Sequence, residues 1–267
     1  MTVSATELQT VPVRSAATIL ILRDSPELQV LMLHRHPDTD FVPGAMLFPG
    51  GTVDHGDTHA CWAEHCIGWE NHRPEDRGLR IAAIREVFEE TGLVLTPDPL
   101  PADFAEGDAL LKLRARVEAG AVSFSDVLAG AGLRVDLDLL VPLSRWITPP
   151  VSHKRFDTRF FLARIPAGQQ PLVDGREAVD LEWISPENGL ALERAKKRNI
   201  LLPTRLNLQS IKAARTSKEA FAIAARRSQL PVEPRVERVD VRINIIIDPK
   251  HGFGMVIEEL PAPPKKA

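Results

Sequence analysis

The sequence predicts a mixed α/β fold in which a sheet lies between layers of helices. Two β-branched, apolar runs at residues 15–22 and 28–33 flank a turn-forming Arg-Asp-Ser-Pro segment, which favours a β-hairpin. A stretch with helical period follows at residues 74–90, and strand patterns at residues 144–148 and 156–165 precede another helix. This order of strands, helix, strands and helix is typical of a sheet covered on both faces.

The remaining elements follow in order along the chain. A short strand at residues 45–48 precedes the long helix, and a proline-rich break at residues 96–101 follows it. A last strand is expected within residues 177–186, and a final hairpin pairs residues 240–248 with 252–259. Further helices are predicted at residues 102–119, 123–130, 186–199, 204–215 and 217–229.

The composition is that of an ordinary globular chain of 267 residues, enough for one large domain or one domain with an appendage. Its net charge of −3 gives no electrostatic case for nucleic acid or an anionic membrane as a partner. The two cysteines, Cys61 and Cys66, imply no disulfide framework. There is no basic and apolar leader, and the last residues are not a Ser-Lys-Leu address, so we expect a cytoplasmic location.

The most informative stretch is an acidic segment of the long helix. Residues three and four apart share a helix face, so Glu86, Glu89 and Glu90 are expected to project together. Gly92 stands at the helix stop position, and residues 93–95 then favour a strand. Carboxylates on one face repel each other unless a cation lies between them, and hard divalent cations prefer oxygen ligands. The pattern therefore indicates a cation site, although a solvated acidic face is the simpler alternative.

Together with features upstream, this helix resembles the signature of the Nudix hydrolase family. In that signature a Gly is followed by five residues, a Glu, seven residues and Arg-Glu-apolar-x-Glu-Glu-x-Gly-apolar. Here Gly51, Asp57 and residues 85–93 match it, except that Asp57 replaces the Glu and residues 58–84 form a much longer gap. An interrupted box of this kind resembles the branch that contains the peroxisomal coenzyme A diphosphatase of animals.

The resemblance implies a Nudix-type α/β/α sandwich with a mixed sheet, plus a helical insertion and C-terminal helices and hairpin. The Nudix domain is expected over residues 12–200, with the insertion at about 58–77 and a helical elaboration at about 102–130. A C-terminal extension over residues 201–260 and a disordered tail over residues 261–267 complete the expected organisation.

The resemblance also implies metal and catalytic residues. Arg85, Glu86 and Glu89 are the expected catalytic side chains, with Glu86 the first choice for the base. One further acid is expected from the last strand, either Glu177 or Glu182. Mg²⁺ or Mn²⁺ is expected on four ligands: Glu86, Glu89, Glu90 and the carbonyl of Gly50. For Gly50, a plain turn remains the alternative.

A small nucleotide-type substrate that contains a diphosphate is expected, and coenzyme A or an acyl-CoA is implied by the resemblance alone. Five residues are expected to contact it: Arg35, Phe48, Gly51, Arg155 and Arg159. A surface role remains open for Arg35, as does a charged hairpin end for the cations of residues 153–159. A homodimer that pairs through the final hairpin is a further prediction.

Two alternatives to the hydrolase stay open. One is a zinc-dependent hydrolase, because residues 55–77 contain six possible zinc ligands, although this segment also fits a packed helical lid. They are His55, His59, Cys61, His65, Cys66 and His72. The other alternative is a Nudix-fold nucleotide-binding or regulatory module without catalysis, which Asp57 favours and the three glutamates disfavour.

Overall fold

The structure is a computed structural model that describes residues 11–38, 43–173, 175, 178–239 and 242–261. The strands in chain order are β1 Val13–Asp24, β2 Leu28–Arg35, β3 Met46–Leu47, β4 Gly50–Thr52, β5 Cys66–Ile67, β6 Val135–Asp136, β7 Val141–Ile147, β8 Arg155–Arg164, β9 Ala178–Ile184, β10 Arg235–Val239, β11 Arg242–Ile247 and β12 Val256–Pro261. The helices are α1 Trp62–His65, α2 Pro74–Thr91, α3 Gly107–Glu118, α4 Phe124–Gly130, α5 Pro186–Arg194, α6 Leu202–Ile211 and α7 Ser217–Ala224.

The main sheet is mixed, as the sequence predicted. Within the described residues it has seven strands, and its central path runs β3-β2-β1-β8-β7. β1 and β2 form the expected antiparallel hairpin, and β7 is antiparallel to β8. β1 pairs with β8 in parallel, and β4 and β9 add antiparallel pairs to β1 and β2. The start of β1 therefore lies beside both β4 and β8, where the site is found.

Helices cover both faces of this sheet, so the predicted α/β/α architecture is confirmed. Side chains alternate across a strand. Ile19 and Ile21 of β1 pack on the face covered by α2, with Phe88. Leu20 and Leu22 pack on the opposite face, in a cluster that also includes side chains of α5, α6 and α7. The first two helices of the predicted extension thus share the core of the sheet. The boundary at residue 200 stays a prediction.

Helix α2 has the limits and the buried face that the sequence predicted. Pro74 occupies its first turn, and Gly92 ends it in the left-handed region with φ 75°. Its apolar stripe is fully buried, which fixes the opposite, acidic face toward the site. The stripe consists of Ile81, Ile84, Val87 and Phe88.

The strand predicted at residues 93–95 is absent, although these residues are fully buried. A side chain takes the place of the strand partner. The Val94 N–H donates to Gln169 Oε1 at 2.8 Å, and Gln169 Nε2 donates to the Val94 carbonyl at 2.9 Å. Because the amide satisfies both backbone groups, burial does not require a strand here.

The insertion is packed, but it is not the predicted helix. Between Gly56 and Gly68 the chain makes the one-turn helix α1 and then β5, which pairs in parallel with β6. Trp62 is 3% exposed and donates from Nε1 to the Gly56 carbonyl. The ring of Trp62 lies 6.1 Å from that of Phe124, so the insertion packs against the elaboration.

Several other element limits differ from the predictions. α6 and α7 end at Ile211 and Ala224, before the expected residues 215 and 229. The helix of the elaboration begins at Gly107 instead of residue 102. Gly107 has a φ of 50°, and a right-handed helix that starts at residue 102 cannot continue through this conformation. α5 ends at Arg194, and Lys196 follows with φ 55°. The final hairpin is confirmed as β11 and β12, but β10 adds an unpredicted strand to β11. The sequence of β10 is Arg-Val-Glu-Arg-Val, in which charged residues break the alternation of apolar and polar positions that predicts a strand.

No helix in the described part of the chain is long and apolar enough to cross a membrane. Of the disordered tail expected over residues 261–267, Pro261 belongs to β12 instead, and residues 262–267 lie outside the described residues.

Candidate functional site

The candidate site is a cleft of about 600 Å³ beside the start of β1. Its acidic lining is Glu86 and Glu90 of α2, next to the backbone of Gly50 and Gly51. Its basic lining consists of Arg14, Arg35, Lys154 and Arg155, together with His153. Arg35 also borders a small side cavity with Gly50 and Glu90, so cations and carboxylates lie close together. Such a charge distribution fits a negatively charged ligand that binds together with a cation.

Backbone and carboxylates approach each other closely at the acidic lining. The Gly50 N–H donates to Glu90 Oε2 at 2.8 Å. A Cβ atom built on Gly51 would lie 2.3 Å from Glu86 Oε1, so any larger residue would displace that carboxyl group. A Cβ on Gly50 would lie 2.3 Å from the Ala17 carbonyl. The two glycines are therefore required by close approach.

Arg85 organises the carboxylates of α2. Its Nη1 donates to Glu86 Oε1 at 3.0 Å and to Glu89 Oε1 at 3.1 Å. Its Nε and Nη2 donate to Asp57 Oδ1 and Oδ2, both at 2.9 Å, and Nη2 also donates to the Thr52 carbonyl. The pairing with a carboxylate expected for Arg85 is present, and the guanidinium links α2 to β4 and to the start of the insertion.

Asp57 is the partner that the sequence analysis missed. It is 2% exposed, forms a two-pronged bond with Arg85 and accepts the Asp54 N–H at 2.8 Å. Such planar pairs are the strong form of ion pair. Its position in the interrupted box was the available signal. The insertion begins immediately after Asp57. The long gap in sequence between Asp57 and Arg85 therefore does not separate these two residues in space.

Burial shifts the ionisation of the site toward neutral acids. Burial, and then the nearby Glu89 charge, raise the pKa of Glu86 to about 7, against the opposing effect of Arg85. Burial also raises the pKa of Glu89. For Arg85, burial acts to lower the pKa, but the bond to Asp57 and the three surrounding carboxylates raise it overall. Burial thus raises the pKa of both acids beside Arg85, which stays charged.

The three glutamates do not all face one cleft, which corrects the sequence expectation. Glu86 and Glu90 are four residues apart and share the main cleft, whereas Glu89 lines a neighbouring cavity of about 280 Å³. That cavity lies under the elaboration and includes Asp57 and Phe124. Helical geometry explains this, since Glu89 is rotated by about 100° from Glu90 around the axis.

The donor set at the acidic lining fits a hard divalent cation. Across the described residues, no three His, Cys, Asp or Glu side chains form a preassembled metal-binding group, either in the insertion or at the box. Arg85 occupies the position between two of the carboxylates instead. The groups beside Gly50 and Gly51 are nevertheless all oxygen donors, and a cation would relieve the cost of ionising the buried Glu86.

The predicted substrate contacts divide into two groups. Arg35, Gly51 and Arg155 line the main cleft, and the buried Nε of Arg35 has no hydrogen-bond partner among the described residues. Phe48 does not line it. Phe48 is 4% exposed, packs in the core and borders a small side cavity.

Arg159 also lies away from the cleft. Thr158 faces the cleft, and the next residue of β8 therefore points to the other face of the sheet. There Arg159 Nη2 lies 4.0 Å from Asp76 Oδ1 on α2. Burial, followed by the charge of Arg145, lowers the pKa of Arg159. Strand alternation thus places Arg159 outside the lining of the cleft, and its contact with substrate stays a prediction.

The acid expected from the last strand is not in the cleft. Glu182 Oε2 lies 2.9 Å from His34 Nε2 and 3.7 Å from Arg198, and it borders a different surface pocket. The register of the β2–β9 pair explains this position, because it places Glu182 opposite Met32 of β2 instead of beside β1, where the cleft lies. Glu177, the other choice, lies outside the described residues.

Comparison with known proteins finds related sequences and agrees with this fold. The family model of the NUDT19 Nudix domain matches residues 67–209, just over half of the chain. A human protein named acyl-coenzyme A diphosphatase NUDT19 is 30% identical over 217 residues, which cover 66% of this chain and 57% of that protein. The Xenopus laevis protein of the same name is 25% identical over 225 residues, which cover 67% and 58%. The alignments therefore span somewhat over half the length of these relatives.

A solved structure supports the same conclusion. The crystal structure of a Nudix hydrolase from Alicyclobacillus acidocaldarius has a TM-score of 0.67 and 28% identity, and it covers 79% of this chain and 96% of that one. The arginine-glutamate helix, the paired glycines and the mixed sheet occur in this chain in the order that the interrupted box requires. With the family model matched over just over half of its length, the chain belongs to the Nudix hydrolase family and resembles its NUDT19 group.

Proposed function

We propose that this chain hydrolyses the diphosphate bond of a nucleoside diphosphate joined to a second group, with coenzyme A or an acyl-CoA as the substrate class. The observation that carries the proposal is the cleft itself, which is lined by the carboxylates Glu86 and Glu90 and by the cations Arg35 and Arg155. The coenzyme A part rests on the names of the human and frog relatives.

The proposed cofactor is Mg²⁺ or Mn²⁺, held by Glu86 and Glu90 with the Gly50 carbonyl. Glu89 stays a predicted ligand, although it borders the neighbouring cavity. When bound, such a cation neutralises phosphate oxygens and lowers the pKa of a bound water. The choice between the two metals, the cytoplasmic location and the homodimer all stay predictions.

The residues of the chain supply positioning and proton transfer. Arg35 and Arg155 bind phosphate oxygens, for which a guanidinium is well shaped. Glu86 accepts the proton of the attacking water, because its carboxyl group lines the cleft and a bound cation would keep it ionised. Arg85 orients that carboxylate through its Nη1 bond. The new bond joins the water oxygen to one phosphorus, and the bridging oxygen leaves with the other phosphate.

The alternative is a nucleotide-binding module without catalysis. Its one supporting feature was Asp57, and the structure gives that residue a different explanation as the buried partner of Arg85. All three glutamates of the box are retained. We therefore favour the hydrolase.

A substrate panel tests the proposal. Coenzyme A, an acyl-CoA, NADH, ADP-ribose, diadenosine polyphosphates and dNTPs are incubated with Mg²⁺ or Mn²⁺, and product release is measured. We expect metal-dependent cleavage that falls at least about 100-fold in Glu86→Gln and Glu90→Gln. Glu75→Gln, at the exposed start of the same helix, is the matched control and should keep wild-type activity. Cleavage that survives Glu86→Gln would contradict the assigned base.

A further inference from the structure

We propose that Glu233 is a positioning residue that holds Arg155 in the orientation needed to bind a substrate phosphate, an inference that rests on the proposed function. Glu233 follows α7 and precedes β10, beyond residue 209, where the match to the family model ends. The C-terminal extension would then complete the substrate cleft.

Arg155, in the lining of the cleft, is held by two hydrogen bonds. Its Nε donates to the Thr148 carbonyl at 3.0 Å, and its Nη2 donates to Glu233 Oε1 at 2.9 Å. The Arg155 side chain is only 12% exposed, whereas the Glu233 side chain is 45% exposed. The arginine therefore lies in the wall, and the glutamate lies at the rim.

The backbone next to Glu233 is fixed to the main sheet. The Val232 N–H donates to the Arg145 carbonyl, and the Ile147 N–H donates to the Val232 carbonyl, both at 2.8 Å. Val232 itself is 1% exposed and packs in the core. These two hydrogen bonds fix the backbone next to Glu233 at the edge of β7. A residue that only contacts solvent at the rim would not need a fixed backbone.

The geometry of the guanidinium explains how this helps phosphate binding. Arginine has five N–H donors in a planar fork. The bonds to Thr148 and Glu233 use Nε and one hydrogen of Nη2, so Nη1 and the second Nη2 hydrogen lie outside these two bonds. Fixing the side chain in advance lowers the entropy lost when a phosphate binds. The carboxylate also balances the charge of Arg155 while the cleft contains no anion.

Steady-state kinetics with the diphosphate substrate test this inference. Glu233→Ala should raise KM about three- to tenfold, the effect of one lost hydrogen bond, and leave kcat within about twofold. Glu233→Gln keeps an acceptor oxygen and should lie between Glu233→Ala and the wild type. Glu237→Ala is the matched control, because Glu237 is an exposed residue of the same extension on β10. It should leave both constants unchanged.

A double-mutant cycle separates positioning from a general structural role. In the Arg155→Ala background, Glu233→Ala should change KM by less than about twofold, since its effect acts through Arg155. An equal KM increase in both backgrounds, or in Glu237→Ala, would overturn the inference. A fall in KM would also overturn it, because Glu233 would then compete with the substrate.

Binding of 3′,5′-ADP, measured by calorimetry, distinguishes failure of this inference from failure of the proposed function. If the wild type cleaves nothing but binds 3′,5′-ADP, the proposed function fails. The inference then stands only if Glu233→Ala weakens that binding by a similar factor and Glu237→Ala does not. If the wild type is active and Glu233→Ala behaves like it in both assays, the inference alone fails. If the wild type neither cleaves nor binds, both fail.

Discussion

Replacing Glu86 with glutamine should stabilise the fold above pH 7 when divalent cations are removed by a chelator. Glu86 is a buried acid whose pKa is raised from 4.5 to about 7, chiefly by burial. A group with a raised pKa in the folded state favours the protonated form there. Ionising it therefore costs stability that glutamine, which cannot ionise, does not lose.

The pH window follows from the two pKa values. Below pH 4.5 the acid is protonated in both the folded and the unfolded chain, so it adds no pH-dependent cost. Stability is lost as pH rises from 4.5 through about 7, where the folded-state group ionises. At about 1.4 kcal/mol for each pH unit between the two values, the loss reaches about 3 kcal/mol. For a domain of this size that corresponds to about 6 to 12 °C in Tm, as an upper value.

Thermal unfolding of wild type and Glu86→Gln is measured from pH 4.5 to pH 8 with EDTA. We expect the variant to melt higher at pH 8 and the two to converge at pH 4.5. Glu75→Gln, at the exposed start of the same helix, should follow the wild type throughout. Mg²⁺ at pH 8 should raise the Tm of the wild type more than that of the variant. Equal melting at pH 8, or a difference that persists at pH 4.5, refutes the reasoning.

Two further substitutions test the frame around the carboxylates. Gly51→Ala places a Cβ atom 2.3 Å from a glutamate oxygen, so we expect activity to fall at least about tenfold, whereas Gly56→Ala, where nothing lies within 4 Å, should be neutral. Arg114→Met removes a buried donor to two backbone carbonyls, one of them in the last turn of α2. Chemical denaturation should show a loss of about 2 to 4 kcal/mol, and the exposed Arg116→Met on the same helix should show almost none. Equal losses in either pair would contradict the assigned contact.

The fold was largely predictable because its strongest signals are local. The β1–β2 hairpin and the limits of α2 follow from turn residues, apolar periodicity and the glycine stop, all of which act within a few residues. Elements held by distant partners were less predictable. The segment at residues 93–95 is buried without a strand because Gln169, far along the chain, satisfies its backbone.

The candidate site divides in the same way. The acidic face with Glu86 and Glu90 was identified from helical spacing, and the paired glycines from the resemblance to the family signature. One helix and one turn carry these residues, so their signals are local. Assignments that depend on which face of a strand points to the cleft were less secure. Arg159 was expected in the cleft but lies on the opposite face of β8. One residue of strand register reverses such an assignment.

The sequence by itself determined the family, the α/β class and the acidic helix, because these depend on residue types at fixed local offsets. The tertiary structure alone decided which groups meet: Asp57 with Arg85 across the insertion, Glu89 with a separate cavity, and Arg155 with Glu233. Such pairs join residues that are far apart in the chain. Their contact is set by strand register and by the packing of the two helical layers, and no local pattern in the sequence specifies either.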